Sequence, residues 1–389
     1  MQTAMIGQTM DRQIAQAPKQ KTYLAVQALR GVAASMVVIH HSSALWLLDF
    51  GPKNVYGPRQ GFWENGASGV DIFFIISGFV MAISSFGGSS GKAPTAGNFM
   101  GRRLVRVVPL YWFLTLLTWA KETLSALRPS VGSAPHGFVS IGYLISSLLF
   151  LPHAGPDGVI QPLVGPGWTL SYEMFFYLLF AAALAFKIAP IRFLTPLLIL
   201  LAAIGALRGP GWHPVTTLLD PFLLEFLAGV WLAYAAKNRF TIPPWLSAAL
   251  GLIGFAVIFF IPQGEFYGSR TLAWGIPALL IVQAAIFLEP QLNPRIPRWM
   301  LEVGDASYSL YLGHILIIAA VARLLISTHI ATRQTTMTLL CLAVALPLSI
   351  LVYRLVERPL TLAIGRATGW GAPRTLVADT DHSLLKKTV

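Results

Sequence analysis

Charged residues are scarce in this sequence. Asp, Glu, Lys and Arg together make up 11% of its 389 residues, whereas soluble domains carry about 25%. Hydrophobic residues make up 55%, and the mean hydropathy is +0.64. This composition excludes a water-soluble globular enzyme and predicts an integral membrane protein.

Acidic residues are the scarcer charged type, since 16 Asp and Glu stand against 28 Lys and Arg, for a net charge of +12. In a soluble protein, such a basic excess would first suggest nucleic acid as a partner. In a membrane protein, the same excess marks the loops on the cytoplasmic side. The positions of the cations therefore decide between the two explanations.

Cysteine is nearly absent. Cys341 is the only one, so the chain cannot form an intrachain disulfide and has no cysteine pair for a zinc site. It lies in an apolar run, where we predict a small core residue, and we expect no metal cofactor. The first twenty residues lack the apolar stretch of a signal peptide, so the first apolar helix is expected to stay as an anchor.

Runs of about 17 to 25 apolar residues are candidate transmembrane helices, because about 20 residues cross the hydrocarbon core. We predict an all-α integral membrane protein, a bundle of about ten such helices in one domain over residues 22–360. A shorter run at 138–151 is flanked by proline and is predicted to be a re-entrant or interfacial helix. Residues 1–21 and 361–389 are predicted to be cytoplasmic tails, the second one disordered. The ten predicted spans lie near residues 24–48, 69–86, 104–124, 170–187, 190–207, 217–236, 243–262, 272–289, 307–327 and 335–356.

The distribution of the cations gives the orientation of these spans. With ten spans and a cytoplasmic N-terminus, 19 of the 28 cations fall inside, eight fall outside or in the outer half, and Arg30 lies within the first helix. If the short run crossed the membrane, the later basic loops would change sides and violate the positive-inside rule. We therefore predict ten spans with both termini in the cytoplasm, in the inner membrane of a bacterium. The basic excess no longer indicates nucleic acid.

Ionisable side chains inside a membrane span are costly, so each one marks a candidate functional site. Arg30 and His41 are eleven residues apart in the first helix. This spacing is close to three helical turns, so both lie on nearly one face, about 16 Å apart along the axis. In an alternative interpretation, Arg30 extends to the lipid headgroups and the pair of His40 and His41 lies at the outer interface.

Two acidic residues enter the membrane from the predicted outer side. Asp71 opens the second span, and Glu173 lies about one turn into the fourth. We predict that both reach the depth of His41 and form an outer layer with it, in which an acid orients the histidine and stabilises its charged form. Asp71 could also cap its helix, and the two roles do not exclude each other. Gly69 and Gly78 of the second span are predicted to permit close helix packing.

A basic cluster lies at the predicted inner end of the third span. Arg102, Arg103 and Arg106 can bind a phosphate-rich ligand through forked hydrogen bonds. Arg103 and Arg106 are three positions apart and share a helix face. The cluster could equally be a membrane anchor that contacts anionic lipid. Tyr111 follows in the same stretch.

Five ordered motifs make the chain resemble the membrane-bound acyltransferase-3 family. They cover about residues 22–360 and are far more specific together than any one of them. Their sequences are Arg-x10-His from Arg30, Asp-x-Phe-Phe-x-x-Ser-Gly-Phe from Asp71, Arg-Arg-x-x-Arg-x-x-Pro-x-Tyr from Arg102, Trp-x-Leu-Ser-x-Glu from Trp168 and Ser-Tyr-Ser-Leu-Tyr-Leu-x-His from Ser307. Within the family, the chain is similar to exopolysaccharide O-acetyltransferases.

The resemblance implies O-acylation of a carbohydrate by an acyl-coenzyme A, with acetyl-CoA as the expected co-substrate. On this basis we expect His41, Asp71 and Glu173 to be catalytic residues, with His41 either a general base or a transient acyl carrier. The other expected partners are a carbohydrate acceptor, with a lipid carrier as one option, the membrane lipids and, again as one option, a second copy of the chain. The donor site is expected to consist of Arg30, Arg102, Arg103, Arg106 and Tyr111.

A transporter for a lipid-linked sugar or another polar solute is the main alternative. Ten helices, a basic inner rim and intramembrane ionisable residues would suit a transporter too. However, no inverted repeat and no matching pair of helices broken by Gly or Pro is visible in the sequence. We therefore predict an acyltransferase.

Overall fold

The protein is built from helices. The computed structural model describes residues 23–50, 63–86, 93–127, 139–209, 211–260, 270–328, 330 and 333–370. These residues contain no β-strand. Within them, a single antiparallel β-bridge joins Ala154 and Ile160. The prediction of an all-α protein is confirmed.

The helices carry labels in chain order. They are α1 (Leu24–Asp49), α2 (Gly69–Ser85), α3 (Ala96–Leu127), α4 (Ile141–Leu148), α5 (Trp168–Ala185), α6 (Pro190–Ala206), α7 (Phe222–Lys237), α8 (Pro244–Phe260), α9 (Ile276–Phe287), α10 (Arg298–Asp305), α11 (Ser307–Ser327), α12 (Gln334–Val352) and α13 (Arg358–Thr368). A 3-10 segment, Glu64–Ser68, leads into α2, and a π-helical segment, Thr271–Gly275, leads into α9.

The predicted boundaries of the domain can be compared with the helices at its C-terminal end. The predicted domain end at residue 360 falls inside α13, which continues to Thr368. The predicted N-terminal tail, residues 1–21, and residues 371–389 of the predicted C-terminal tail lie outside the described residues. The division into tails and domain stays a prediction.

Six helical segments in the described residues are long and apolar enough to cross a membrane, and a bent pair, Thr271–Phe287 with Glu289–Arg295, would make a seventh. Each of the ten predicted spans falls on a helix, but α6 and α8 have only 17 residues. The chain is therefore a multi-pass membrane protein, and the count of ten stays a prediction. The six segments are Leu24–Asp49, Glu64–Ser85, Ala96–Ala126, Gly165–Ala185, Ser307–Ser327 and Gln334–Thr368.

The short apolar run at 138–151 contains α4, which has eight residues. Eight residues rise about 12 Å, far less than the roughly 30 Å of the hydrocarbon core, so α4 cannot cross the membrane by itself. Ser140 caps its first turn by accepting a hydrogen bond from the backbone N–H of Tyr143 at 3.1 Å. At its other end, the hydroxyl of Tyr111 donates to the carbonyl oxygen of Ser147 at 2.9 Å. The contact with Tyr111 attaches α4 to α3.

Glycines allow the closest helix contacts in the bundle. A Cβ atom added to Gly78 in α2 would lie 2.0 Å from the carbonyl oxygen of Phe226, and one added to Gly229 in α7 would lie 2.0 Å from that of Ile75. Gly69 is similarly close to the backbone of α1. Small residues at helix crossings let membrane helices approach in this way. The prediction that Gly69 and Gly78 serve packing is confirmed.

Helix α1 positions much of the candidate site, because it packs against α2, α10, α11 and α12. Its N-terminus is capped by Glu289, whose two carboxylate oxygens accept the backbone N–H groups of Leu24 and Ala25 at 2.8 Å each. The carboxylate satisfies donors that the first turn leaves unpaired and lies at the positive end of the helix dipole. Cys341 is fully buried in the core between α1, α11 and α12, as predicted.

Candidate active site

A cavity lies between α1, α2, α3, α5 and α11, with about 780 Å³ of empty space that includes its opening to solvent. Its charged lining consists of Arg30, Arg103, Arg106 and Glu173, and the rest of the lining is formed by hydroxyl-bearing and apolar side chains. These are Ser77, Thr169, Tyr177, Ser307, Tyr308, Tyr311, Val70, Phe73, Phe74, Ile76, Val80, Met81, Val107 and Leu170.

Helical periodicity explains which side chains of α2 face the cavity. Val70, Phe73, Phe74 and Ser77 line it and have the spacing i, i+3, i+4 and i+7 of one helix face. Asp71 follows Val70 and is turned from it by about 100°. The face that carries Asp71 therefore packs against other helices and not against the cavity.

Arg103 is held in the wall of the cavity. Its side chain is buried, and its guanidinium donates a hydrogen bond to the hydroxyl of Ser84 at 2.8 Å. The guanidinium also lies 5.5 Å from the ring centre of Phe99 and 5.9 Å from that of Tyr177. Aromatic faces attract a cation but do not neutralise its charge. Arg103 is thus fixed in place with its positive charge available to a ligand.

The three arginines of the cavity lack close acidic partners. In the described residues, no carboxylate lies within salt-bridge distance of Arg30, Arg103 or Arg106. Glu173, Asp305 and Glu357 are farther away, close enough to act on these cations electrostatically. Arg103 is buried and Arg30 and Arg106 are partly buried, and a buried charge without a close partner is costly. The cavity is therefore suited to bind an anion.

Asp305 ends α10 beside the arginines, outside the candidate membrane spans. Its carboxylate accepts a hydrogen bond from the side-chain amide of Gln27 in α1. Burial raises the pKa of Asp305 above its usual value, while Arg30 and Arg106 act in the opposite direction. Because burial disfavours the ionised carboxylate, Asp305 neutralises the arginines less than an exposed aspartate at the same place would.

Glu173 supplies the acid of the cavity from α5. Its Oε1 accepts hydrogen bonds from the hydroxyl of Ser77, at 3.1 Å, and from the hydroxyl of Tyr177. Tyr177 follows Glu173 by four positions, which places both on one helix face. Since Tyr177 also contacts the guanidinium of Arg103, the glutamate and the arginines form one connected polar wall.

His41 lies beyond the end of the cavity. Tyr311 lines the cavity, and its ring packs against Phe73 at 5.6 Å and against His314 at 6.1 Å between ring centres. Nε2 of His314 in turn lies 3.2 Å from Nδ1 of His41. Tyr311, which packs against Phe73, therefore lies between the cavity and the histidine pair.

Asp71 belongs to a separate ionic group, which we call the Asp71 cluster (Asp71, Glu225 and Arg270). Oδ2 of Asp71 lies 3.0 Å from a guanidinium nitrogen of Arg270, and the guanidinium lies 4.4 Å from the ring centre of Trp274. Glu225 of α7 lies beside this pair. Both its carboxyl oxygens and Oδ1 of Asp71 are buried and receive no hydrogen bond from an N–H or hydroxyl group of the described residues, and the two carboxyl groups lie within hydrogen-bonding reach of each other.

The structure does not bring His41, Asp71 and Glu173 together in the predicted outer layer. They make separate contacts, His41 with His314, Asp71 with Arg270, and Glu173 with Ser77 and Tyr177. The sequence argument used depth in the membrane alone, whereas the rotation of each helix sets the direction of its side chains. The catalytic roles of the three residues stay predictions.

The predicted donor site is only partly assembled. Arg30, Arg103 and Arg106 line one cavity. Arg102 is exposed, and its Nε donates to the carbonyl oxygen of Asn98 at 3.1 Å. Tyr111 is fully buried and bonds to α4, as described above. The assignment of these last two residues to donor binding stays a prediction, and their positions do not support it.

Several residues at the site were not selected from the sequence. The sequence contains a signal for Tyr177, because it lies four positions after Glu173, and for Tyr311, because it lies three positions before His314. Tyr308 and Tyr311 also share a helix face, a pattern more typical of packing than of a ligand site, but the structure places both in the lining of the cavity. No sequence signal connects His314 with His41, since 273 positions separate them.

The chain is similar to a family of acyltransferases and to several named proteins. The model of an acyltransferase family, described as an acyltransferase domain, matches residues 23–354. The exopolysaccharide production protein ExoZ of Rhizobium meliloti is 33% identical over 314 residues, which cover 78% of this chain and 91% of ExoZ. BcsY of Komagataeibacter xylinus is 28% identical over 353 residues, which cover 86% of this chain and 81% of BcsY. No solved structure matches the chain significantly.

The O-acetyltransferase OatA of Staphylococcus aureus is a third relative. It is 26% identical over 372 residues, which cover 86% of this chain but 56% of OatA, so the chain corresponds to little more than half of that protein. The family match extends over most of the chain and contains every residue that lines the cavity. The chain therefore belongs to the acyltransferase-3 family and is a membrane-bound O-acyltransferase.

Proposed function

We propose that the protein transfers an acetyl group, or another short acyl group, from cytoplasmic acyl-CoA to a hydroxyl of a surface or secreted polysaccharide such as exopolysaccharide. The observation that carries this proposal is the cavity, which three arginines without close acidic partners line. A histidine pair lies beyond the end of this cavity. The membership of the acyltransferase-3 family favours this enzyme over the transporter that composition left open.

The arginines bind the phosphates of the donor. Planar guanidinium groups form paired, charge-assisted hydrogen bonds with phosphate oxygens, and Arg30, Arg103 and Arg106 present three such groups to one cavity. The excess of cations on the predicted inner side supports an opening toward the cytoplasm, where acyl-CoA is available. In this orientation both termini lie in the cytoplasm and the protein lies in the inner membrane.

The acyl end of the donor points toward His41. Arg30 and His41 share a face of α1 and are about 16 Å apart along its axis, an interval that an extended pantetheine arm covers. Tyr311, which packs against Phe73, lies between the cavity and His314. The thioester therefore passes these two side chains before transfer takes place beside His41.

The chemistry needs a base for the acceptor hydroxyl. In the first form of the reaction, His41 takes the hydroxyl proton while the hydroxyl oxygen attacks the thioester carbonyl carbon. The carbon–sulfur bond breaks, and the CoA thiolate leaves and takes up the proton. In the second form, a ring nitrogen of His41 attacks the thioester carbonyl carbon and the CoA thiolate leaves. The hydroxyl oxygen then attacks the acyl carbon, the carbon–nitrogen bond to His41 breaks, and the hydroxyl proton goes to the thiolate. Either form moves the acyl group outward while CoA stays on the cytoplasmic side.

The two acids have different roles in this scheme. Glu173 lies in the polar wall with the arginines, where it limits the positive charge and holds Tyr177. Asp71 acts at a distance from the cavity, because its salt bridge with Arg270 connects α2 with the segment before α9. Glu173 therefore acts at the donor site itself, whereas Asp71 acts only through the position of α2.

The names of the relatives support a polysaccharide acceptor. ExoZ is an exopolysaccharide production protein and OatA is an O-acetyltransferase. Such an acceptor is assembled or exported at the outer face of the membrane, which is the side that the proposed direction of transfer reaches. A lipid-linked intermediate of the polysaccharide and a homo-oligomeric enzyme are both compatible with this scheme.

A reconstituted assay tests the proposal. The purified protein in proteoliposomes is given labelled acetyl-CoA and exopolysaccharide from a strain that lacks this protein, and label in the polysaccharide is measured. We expect transfer by the wild type and none by His41→Ala. Arg192→Ala is the matched control, because Arg192 is an exposed cation of α6 outside the cavity. Full transfer by His41→Ala, or none by the wild type with any acyl-CoA, would overturn the proposal.

A further inference from the structure

Two histidines from distant parts of the chain meet inside the bundle. His314 in α11 is fully buried, and His41 in α1 is partly buried. Their ring centres are 4.8 Å apart, and Nε2 of His314 lies 3.2 Å from Nδ1 of His41. A hydrogen bond between these two nitrogens needs one donor and one acceptor, so the positions of the protons decide what the pair can do.

Backbone carbonyl groups fix the proton on each ring. Nδ1 of His314 lies 2.6 Å from the carbonyl oxygen of Tyr311, and Nδ1 of His41 lies 3.0 Å from that of Val37. A carbonyl oxygen only accepts hydrogen bonds, so Nδ1 of each ring carries a hydrogen. A neutral imidazole has a single N–H, which leaves Nε2 of His314 as an acceptor. This acceptor faces the N–H at Nδ1 of His41.

The same reasoning defines the free nitrogen of His41. Because its Nδ1 carries the hydrogen and shares it between Val37 and His314, Nε2 of the neutral ring is unprotonated. We propose that His314 is a positioning residue, which holds His41 in this tautomer so that Nε2 can accept the proton of the acceptor hydroxyl. The inference deepens the proposed function and rests on the role of His41 in it.

His314 has the role that a carboxylate has in other enzymes. In a Ser-His-Asp triad, a carboxylate fixes the tautomer of the histidine and stabilises its charged form. In the described part of this chain, no carboxylate hydrogen-bonds to His41 or His314, since Asp71 is bound to Arg270 and Glu173 to other hydroxyl groups. The neutral acceptor on His314 takes the place of that carboxylate.

His40 does not compete for this role. Its ring lies 4.8 Å from that of His41, but its Nδ1 lies 2.9 Å from the carbonyl oxygen of Glu64. His40 is therefore directed toward the segment before α2, whereas His314 lies between His41 and Tyr311, which lines the cavity. Of the two neighbours, His314 is the one that connects His41 with the donor cavity, which is the cavity lined by Arg30, Arg103 and Arg106.

The proton balance of the reaction follows from this geometry. Nε2 of His41 receives the proton of the attacking hydroxyl, and the positive charge on the ring is stabilised by the acceptor at Nε2 of His314 and by the carbonyl oxygen of Val37. When the carbon–sulfur bond breaks, the same proton goes to the sulfur of the departing CoA. His314 keeps its own proton on Nδ1 throughout, so it orients His41 but does not exchange a proton with the substrate.

A spectroscopic measurement tests the inference without any need for activity. Solid-state NMR of the wild-type protein in lipid, with ¹⁵N-labelled histidine and at a slightly alkaline pH, distinguishes protonated from unprotonated ring nitrogens. Spectra of His41→Ala and His314→Leu assign the signals. We expect both rings to carry hydrogen on Nδ1, and a through-space correlation between Nδ1 of His41 and Nε2 of His314. A hydrogen on Nε2 of neutral His41 would overturn the inference.

Kinetics of matched variants give a second, separate test. In His314→Gln the side-chain carbonyl oxygen can take the place of Nε2 as an acceptor, whereas Leu in His314→Leu fills space without one. We expect kcat to fall at least about tenfold in His314→Leu, which is part of the roughly 10²- to 10⁴-fold that a positioned general base contributes, and to fall less in His314→Gln, with the KM for acetyl-CoA unchanged in both. Equal kcat values in the two variants would contradict the positioning role.

The two proposals fail in different ways. If the wild type transfers no acyl group, the proposed function fails, while the NMR result still decides whether His314 sets the tautomer of His41. If the wild type is active and His314→Leu, shown to be folded by its thermal unfolding, keeps the wild-type kcat, the inference about His314 fails and the proposed function stands.

Discussion

Asp71 and Arg270 form a salt bridge of 3.0 Å across 199 positions of the sequence. The aspartate is fully buried, and the side chain of Arg270 is 34% exposed. Arg270 also donates a hydrogen bond to the carbonyl oxygen of Ala67 at 3.1 Å, just before α2 begins. The pair therefore ties the start of α2 to the segment that leads into α9, at a distance from the donor cavity.

This relationship predicts a defect in stability for Asp71→Ala. The change leaves the guanidinium of Arg270 without its carboxylate, which for a partly exposed pair we expect to cost about 2 kcal/mol. The KM for acetyl-CoA should stay close to the wild-type value. Thermal unfolding in detergent, together with the KM, checks both expectations.

The double variant Asp71→Ala/Arg270→Ala is the control for this prediction. Because the two residues are in contact, their effects should be less than additive. A variant Asp71→Ala with wild-type thermal stability but no turnover would contradict the structural role and return Asp71 to the reacting groups.

The sequence predicts the helices of this protein better than it predicts their contacts. Apolar runs locate the helices because burial in lipid demands about 20 apolar residues, and the three cavity arginines are visible because they are costly in a membrane. The eleven-residue spacing of Arg30 and His41 also gives their common face correctly within one helix.

The contacts between helices could not be predicted in this way. Asp71, Glu173 and His41 were grouped by their depth in the membrane, but rotation about each helix axis directs them to different neighbours. Arg270 and His314 acquire their partners only through the packing of helices that are distant in sequence. A single sequence contains the period of each helix and no measure of its rotation against the next.

The donor cavity predicts an order among the arginine variants. Arg106→Ala removes a cation that lines the cavity and should raise the KM for acetyl-CoA by roughly 10- to 100-fold, as expected for one or two lost charge-assisted hydrogen bonds. Arg102→Ala should have a smaller effect, because Arg102 is exposed and bonds to the backbone of Asn98. Initial rates over a range of acetyl-CoA concentrations give both values.

The lipid-anchor interpretation makes the opposite prediction. If the basic cluster only contacts anionic lipid, the exposed Arg102 should matter more than Arg106, and both variants should differ from the wild type chiefly in vesicles that contain anionic lipid. Repeating the KM measurement in neutral and in anionic proteoliposomes separates the two interpretations.

We predict that Glu225 of the Asp71 cluster can be replaced by Gln without loss of thermal stability. Both its carboxyl oxygens are buried and receive no hydrogen bond from an N–H or hydroxyl group of the described residues, and Oδ1 of Asp71 is in the same state. Glu225→Gln keeps the shape and supplies an N–H group toward the free oxygen of Asp71, so we expect equal or higher thermal stability. Glu225→Leu, which supplies no donor, should not show this gain. A clear loss of stability in Glu225→Gln would mean that the negative charge of Glu225 is needed by Arg270.

The crossing of α2 and α7 predicts the most severe packing defect. A Cβ atom at Gly229 would lie 2.0 Å from the carbonyl oxygen of Ile75 and 2.7 Å from the backbone nitrogen of Phe79, and backbone atoms cannot move aside as a flexible side chain can. We expect Gly229→Ala to separate the two helices and to lower the amount of folded protein in the membrane severalfold, by overpacking that costs about 1–3 kcal/mol or more. Gly313→Ala in α11 is the matched control, because no atom lies within 4 Å of its added Cβ. Size-exclusion profiles of both variants in detergent measure the folded fraction, and a normal profile for Gly229→Ala would show that α2 and α7 are not in close contact.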